Sequence, residues 1–501
     1  MSIKSFASKQ FSTHLLDERR RDKARARAER ERRRKGEPHR IEFFHQVDDP
    51  YSHLLAQALV KLQERYEVEV VTWLVEPPED WAAPARALLE SYSLVDARRL
   101  AEKGGFHATS ETRPGPEAVL DVQERLAETL PSPDGPGSEA TLEATVALGR
   151  EFWEGESDGA APSGSRREPV WRGPAPHASQ SVRPSSGARM TRRRTQCAAS
   201  VRTTLRAGTE RRAELGHYLG GTCFYGGEWT WGIDRLAYLE ERLADLGARR
   251  PAATEARIPP AADAGGDAGA PSLGLPANPP TPGAPTPIYA QPRLLEEPVP
   301  ADALEAANLP DLHFFASFRS PYTWISTERV IRLAEAFGVN LRIRFVLPMV
   351  MRGLPVKRLK RVYILLDAAR EARRNGVQFG PISDPVGKPV ERGYSLLPWA
   401  VEQGRGIEYF RSFMTLVFSQ AVDAGSDRGL QRIVEEAGLD WTEGRGYLDD
   451  PAWREEAERN REELFDLGLW GVPSFRVGSV AAWGQDRLWV LEDEYRRLAG
   501  K

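Results

Sequence analysis

The chain states its own landmarks twice. Phe43-Phe44 followed by Asp49-Pro50-Tyr51 returns as Phe314-Phe315 followed by Ser320-Pro321-Tyr322, at the same spacing. Trp231-Gly232-Ile233-Asp234-Arg235-Leu236 returns as Trp483-Gly484-Gln485-Asp486-Arg487-Leu488. Each copy therefore has the same opening and the same close, too far apart for a solenoid period and suited to a duplicated domain. From Pro50 to Trp231 is 181 positions and from Pro321 to Trp483 is 162, so the first copy is 19 longer. The differences matter as much as the matches. The second copy has Ser320 and a Gly471-Val472-Pro473 turn where the first has Asp49 and Gly220-Gly221.

A length of 501 residues gives room for two to four domains. The charge is close to balanced at −3, so no global field calls for a specific nucleic-acid partner. Residues 1–39 are a basic helical or disordered lead-in, with most cations between Arg19 and Lys35; its two readings are a solvated helix and a surface for anionic lipid or RNA. No apolar stretch follows it, so a secretory signal is not expected, and no run of 18 apolar residues exists to span a membrane. Two cysteines, Cys197 and Cys223, exclude a disulfide scaffold and fit a reducing cytoplasm.

The periodicity predicts strand, helix, strand over Arg40 to Phe44, a helix opened by Pro50, and Tyr66 to Leu74: a βαβ unit with a parallel sheet. The same pattern recurs at Leu312 to Ala316, a helix opened by Pro321, and Leu341 to Val346. Helices are expected at Trp81 to Ala101, Glu139 to Trp153, Lys357 to Asn375, Tyr409 to Asp423, Arg428 to Ala437 and Pro451 to Leu467. A hairpin over Ser474 to Val477 and Ala481 to Trp483 precedes a last helix from Leu488. Ser157 to Thr204 shows almost no periodicity; residues 155–206 read as a disordered insertion or as a frame artefact in the gene. Residues 249–308 are Pro/Ala-rich and read as an extended linker that leaves two domains free in orientation. The domains are then 40–248 and 309–501.

A βαβ start and a ββα finish around a helical middle, with Ser320-Pro321-Tyr322, Val472-Pro473 and Gly484-Gln485-Asp486-Arg487 in order, resemble the DsbA-like superfamily. The branch they resemble holds the 2-hydroxychromene-2-carboxylate isomerases and kappa-class glutathione transferases. The resemblance covers residues 312–497 and, more weakly, 41–110 and 215–245. It implies an α/β chain of two tandem thioredoxin-like domains, each with a helical insertion. In that superfamily a Cys-x-x-Cys opens the first helix, where the helix terminus favours a thiolate. Here Ser320-Pro321-Tyr322-Thr323 has no thiol, so dithiol exchange cannot occur at that place. What the resemblance implies instead is glutathione as cofactor. Ser320 would be the catalytic residue, orienting the glutathione thiolate by a hydrogen bond, beside Pro321 and Tyr322 in the pocket. Lys360, Val472, Pro473, Gln485, Asp486 and Arg487 would bind the rest of the peptide, with Pro473 in the cis form. No metal is implied: His45 and Asp48-Asp49 lack further ligands at sensible spacing.

Each of these residues also has a plainer reading. Ser320 is an ordinary helix cap, and Asp486 and Arg487 can be a cap and a surface ion pair. Asp367, Arg370 and Glu371, at i, i+3 and i+4, face either a pocket or solvent. In the first copy Asp49 would repel a thiolate, and Cys223 aligns with Phe475 at a buried strand position. The expected activity is isomerase or transferase chemistry on a conjugated or electrophilic small molecule, with the second copy active. The alternative is a non-catalytic peptide-binding or scaffold protein, favoured by Met351-Arg352-Gly353-Leu354 where the family shows a Gly-rich loop. Two copies in one chain can pack as an intrachain pseudo-dimer, or the chain can form a homodimer.

Overall fold

The computed structural model describes residues 3–154, 188–251, 286–299, 308–448 and 450–500. Two four-stranded sheets organise it. In the first half, β1 (His39–His45) lies parallel to β2 (Val68–Leu74) and antiparallel to β3 (Thr222–Tyr225), which pairs with β4 (Glu228–Trp231). In the second, β5 (Leu312–Ala316), β6 (Leu341–Phe345), β7 (Ser474–Val477) and β8 (Val480–Trp483) repeat that order and those directions. The registers agree too. Phe43 sits opposite Thr72 and Cys223, and Phe314 sits opposite Ile343 and Phe475.

The helices that open each half form for the same local reason. Asp49 caps α3 (Pro50–Arg65), accepting from the Tyr51 and Ser52 amides. Ser320 caps the helix Pro321–Ala336, accepting from the Thr323 amide. In both, proline takes the first helical position, where no amide proton is needed. Between β2 and β3 lie α4 (Arg86–Gly104), α5 (Pro116–Ala127), α6 (Glu139–Glu154) and α7 (Ala188–Glu214), and α8 (Leu236–Asp245) closes that half. In the second half α9 (Pro321–Ala336) is followed by α10 (Arg358–Arg374), α11 (Lys388–Glu402), α12 (Gly406–Gln420), α13 (Asp427–Glu436), α14 (Trp453–Asp466) and the closing α15 (Leu488–Leu498). Each sheet buries its central apolar residues: Ile41, Phe43 and Val70 in one, Leu312, Phe314 and Phe475 in the other.

Two expectations need correction. Residues 188–206 belong to helix α7, and Val201 and Leu205, one turn apart, bury against Leu74, Val122 and Leu126. Arg211 on Glu42 at 2.7 and 2.9 Å and the Glu76 amide donating to the Thr209 hydroxyl at 3.0 Å add to that docking, and so short an apolar stripe leaves little periodic signal. Residues 155–187 lie outside the described residues. The second correction concerns the linker. Residues 252–285 and 300–307 lie outside the described residues, but 286–299 is packed down. Ile288 and Tyr289 are buried, and the Ile288 amide donates to Glu240 at 3.0 Å. Gln291 donates to Asp486 at 2.7 Å, and the Leu295 amide to Glu492 at 2.8 Å. This segment straps the first half to the second, so their relative orientation is fixed by contact.

The lead-in is helical: α1 (Ile3–Leu15) and α2 (Glu18–Lys35). α1 docks on the second half through Ser8 and Ser12, whose hydroxyls bond the backbone at 382–384. α2 docks on the first through a two-pronged Arg25–Glu228 pair at 2.9 Å.

Candidate functional site

Ser320 and Val472 meet. The Ser320 hydroxyl stands at the start of α9, accepts from the Thr323 amide at 3.1 Å and donates to the Val472 carbonyl at 3.4 Å. The Val472–Pro473 bond is cis, as the resemblance implied. The turn before it is tight because Gly471 lies against Trp483; a Cβ there would come within 2.6 Å of the indole nitrogen. Arg319, next to Ser320, is held by a two-pronged pair with Asp384 at 2.7 and 2.9 Å. Around this corner Phe315, Leu469, Trp470, Val472 and Trp483 pack against α4 of the first half, through Leu88, Leu89 and Tyr92.

The remaining candidates go elsewhere. Pro321 stays beside Ser320, but the Tyr322 hydroxyl donates to Asp367 at 2.8 Å. Lys360 donates to the Ala82 carbonyl of the first half at 3.0 Å, and burial lowers its pKa to about 8. Gln485 is buried and donates to Glu371 at 2.9 Å. Asp486 accepts from both terminal nitrogens of Arg235 at 3.1 Å. Arg487 reaches Asp96 at 2.7 Å and Asp234 at 2.9 Å. The polar cluster at Asp367, Arg370 and Glu371 is thus neither a pocket wall nor a solvated face. It is buried between the halves.

That interface is reciprocal. Arg235 of the first half pairs with Asp367 and Asp486 of the second; Arg487 of the second pairs with Asp96 and Asp234 of the first. Tyr51 donates to Asp96 as Tyr322 does to Asp367, both at 2.8 Å and both across 45 residues. Arg99 donates to the Ala481 carbonyl, and Arg370 to the Trp229 carbonyl, at 3.1 and 3.0 Å. Lys103 pairs with Asp493, and Arg374 with Glu241. Burial alone would raise the Asp367 carboxyl, but the Arg235 and Arg370 guanidiniums outweigh it and hold the group below the usual carboxylate range. Asp234 and Arg235 stand just before α8 but make no side-chain cap there; they belong to this network. Asp96 and Tyr92 escaped the sequence reading. The one available signal was the equal Tyr51–Asp96 and Tyr322–Asp367 spacing.

The first half differs at the place equivalent to Ser320. Asp49 stands there and accepts from the Ser52 hydroxyl at 2.8 Å. A cavity of about 50 Å³ opens beside it, lined by Gln46, Asp48, Arg86, Glu90 and Arg113 among others. Burial, aided by the Asp48 charge, raises the Asp49 pKa to about 6 against the pull of its hydrogen bonds. Cys223 is buried, and burial pushes its thiol up and so disfavours the thiolate.

The family described as the DSBA-like thioredoxin domain matches residues 311–496. This region is a DsbA-like thioredoxin domain. Among curated relatives, the 2-hydroxychromene-2-carboxylate isomerase of Pseudomonas putida is 21% identical over 193 residues, 37% of this chain and 94% of that protein. The enzyme of the same name from Pseudomonas sp. strain C18 is 21% identical over 188 residues. Among solved structures, a 2-hydroxychromene-2-carboxylate isomerase aligns with TM-score 0.34 and 19% identity over 37% of this chain and 95% of its own. The cytosolic disulfide reductase DsbM from Pseudomonas aeruginosa aligns with TM-score 0.30 and 16% identity over 37% and 98%. Ser320, the cap of α9, carries a hydroxyl and no thiol.

Proposed function

We propose that the second half is a glutathione-dependent enzyme, an isomerase or transferase acting on a conjugated or electrophilic small molecule. The observation that carries the reading is the Ser320 hydroxyl at the start of a 16-residue helix, 3.4 Å from the Val472 carbonyl. Bound glutathione would supply a thiol for addition to the acceptor. The chain would contribute the rest. The N-terminus of α9 favours negative charge at the sulfur position. The Ser320 proton, now on a long bond to Val472, can turn to a sulfur anion and orient it. Pro321 and the Val472-Pro473 backbone would flank the cysteinyl part.

The residues fit the thiol end of the peptide better than its charged end. Asp486 and Arg487 are committed to Arg235, Asp96 and Asp234, and Gln485 and Lys360 also have partners from other elements. That commitment favours the second reading, a non-catalytic peptide-binding or scaffold protein. We also infer that the first half is a degenerate second copy of the thioredoxin-like domain, and that the two copies form an intrachain pseudo-dimer. The matching strand order, registers and reciprocal ion pairs support this.

Calorimetric titration of glutathione into the full chain tests the enzyme reading. Saturable binding is expected, and with it a raised melting temperature. Ser320→Ala should lose about 1 kcal/mol of stability with its cap and about a hundredfold or more in turnover. No glutathione binding by the wild-type chain favours the scaffold.

A further inference from the structure

The same ion pair stands beside both helix starts, with its charges exchanged. In the first half Asp48, just before the cap Asp49, accepts from Arg113. In the second Arg319, just before the cap Ser320, donates to Asp384 at 2.7 and 2.9 Å. Both pairs span 65 residues. A third position reverses as well. Glu90, two residues before Tyr92 on α4, also pairs with Arg113, whereas Arg361, two before Tyr363, holds the equivalent place on α10. The first corner therefore sets Asp48, Asp49 and Glu90 against Arg113. The second sets Arg319 and Arg361, with the Ser320 hydroxyl, against Asp384. The interface shows no such exchange: Tyr51, Asp96 and Arg235 have the same residue types in Tyr322, Asp367 and Arg487.

A charge in front of the cap is felt at the cap. Asp48 and Arg113 line the cavity beside Asp49, and the Asp48 charge acts with burial to hold the Asp49 proton. A cation at the same place acts in the other direction. The second pair is also fixed in position. Its Asp384 belongs to a loop bonded on one side to α1, where Ser8 meets the Ile382 carbonyl and the Asp384 amide. On the other side the Ser383 amide donates to the Val417 carbonyl of α12 at 3.1 Å. Both members of the pair are partly buried, so solvent screens them incompletely. Asp367, which Tyr322 of the first turn reaches, is met by Arg235 and Arg370, and Lys360 turns to the Ala82 carbonyl. We propose that Arg319 is a positioning residue that makes the Ser320 corner favour an anion, while Asp48 makes the first corner reject one, so that each chain offers a single thiolate site. This deepens the glutathione reading and rests on it for the identity of the anion. Arg319 acts through its charge, and the Ser320 hydroxyl remains the donor to the sulfur.

A thiol carried by the chain reads both corners without glutathione. Ser320→Cys and Asp49→Cys each place one at a helix start, and the pH dependence of its alkylation by iodoacetamide gives its midpoint. The wild-type chain, with Cys197 and Cys223, sets the background. The Ser320→Cys midpoint is expected about one unit or more below that of Asp49→Cys. Exchanging the second pair in Ser320→Cys (Arg319→Asp with Asp384→Arg) should raise its midpoint by about one unit. Exchanging the first pair in Asp49→Cys (Asp48→Arg with Arg113→Asp) should lower that one by about as much. Arg319→Lys should keep the low midpoint, and Arg319→Gln, which needs no second change, should raise it. Circular dichroism checks that the variants fold. A Ser320→Cys midpoint that neither the exchange nor Arg319→Gln moves overturns the proposal, as does one no lower than that of Asp49→Cys. If the shifts appear while glutathione fails to bind the wild-type chain, the glutathione reading falls and the role of Arg319 at the corner stands.

Discussion

The two halves share a frame and differ at one corner. Both place an aromatic-rich central strand before a capped helix, and both put a Trp-Gly turn before the last helix. Both also meet each other alike: an arginine from each side pairs with two aspartates of the other, and a tyrosine of the same half holds one of those aspartates. At the helix start they part. Ser320 faces the Val472 carbonyl, whereas Asp49 faces a small cavity and the Gly220-Gly221 turn. The comparison teaches that interface and site are separable in this fold. The first half has neither the hydroxyl nor the proline, yet its Asp96, Asp234 and Arg235 meet the second half as Asp367, Asp486 and Arg487 meet the first.

The sharpest way to break the comparison is at its buried arginines. Arg235→Ala removes the cation that Asp486 meets and one of the two guanidiniums on Asp367, and Arg487→Ala removes the cation that Asp96 and Asp234 meet. Each should cost about 3–5 kcal/mol, the range for one partner removed from a buried pair. Urea unfolding of the full chain measures it. Comparable losses mean the halves are equivalent partners; a silent Arg487→Ala with a costly Arg235→Ala would mean that only one half depends on the contact.

A smaller effect is expected at the turn. Gly220 occupies the position of Val472, but a Cβ on it would lie 2.6 Å from the Gln46 Cβ. Gly220→Ala should therefore cost about 1–3 kcal/mol through overpacking. A neutral result would mean that Gln46 gives way and the turn of the first half has room for a side chain.

Asp49 gives a pH test of the same corner. Its pKa of about 6 lies above the ordinary 3.8 because burial disfavours the anion. The folded state then holds the proton longer than the unfolded chain. The stability this lends is complete below the unfolded pKa and is lost as pH rises through the folded one. Asp49→Asn keeps the cap and removes the charge. It should match wild type below about pH 4 and exceed it by about 1–2 kcal/mol above about pH 7. A constant difference across that window would show that the carboxyl does not titrate with folding.

The frame was legible in the sequence because its signals are local. Alternation marks a strand, and Asp49-Pro50 or Ser320-Pro321 marks a helix start within a few residues. The interface was illegible for the opposite reason. Arg487 and Asp96 lie 391 positions apart, and nothing near either residue names the other. Read alone, Asp486-Arg487 looked like a cap with a surface pair. Helix α7 was lost because only Val201 and Leu205 of its described side chains carry an apolar stripe, and the strap at 286–299 because Ile288-Tyr289 is one apolar pair in a proline-rich run. The candidate site was half legible. Ser320, Pro321, Val472 and Pro473 come together as the resemblance implied, and Tyr322, Lys360, Gln485, Asp486 and Arg487 turn to partners in the interface or the other half.

The rim of the interface allows the gentlest test of the comparison. Lys103 pairs with Asp493 and Arg374 with Glu241, the same exchange in mirror order. These pairs are a third or more exposed on at least one side, unlike Arg235 and Arg487, whose side chains are about 6% exposed. Geometry is shared along the interface, so burial is the variable. In high dielectric an exposed pair gains little and salt screens it. Lys103→Ala and Arg374→Ala should each cost about 0–1 kcal/mol, with the loss vanishing in high salt. A cost as large as that of Arg487→Ala would refute burial as the source of the interface's strength. The lysine also lies 5.0 Å from the Trp489 ring centre, so Lys103→Arg, which keeps both the charge and the ring contact, should be neutral.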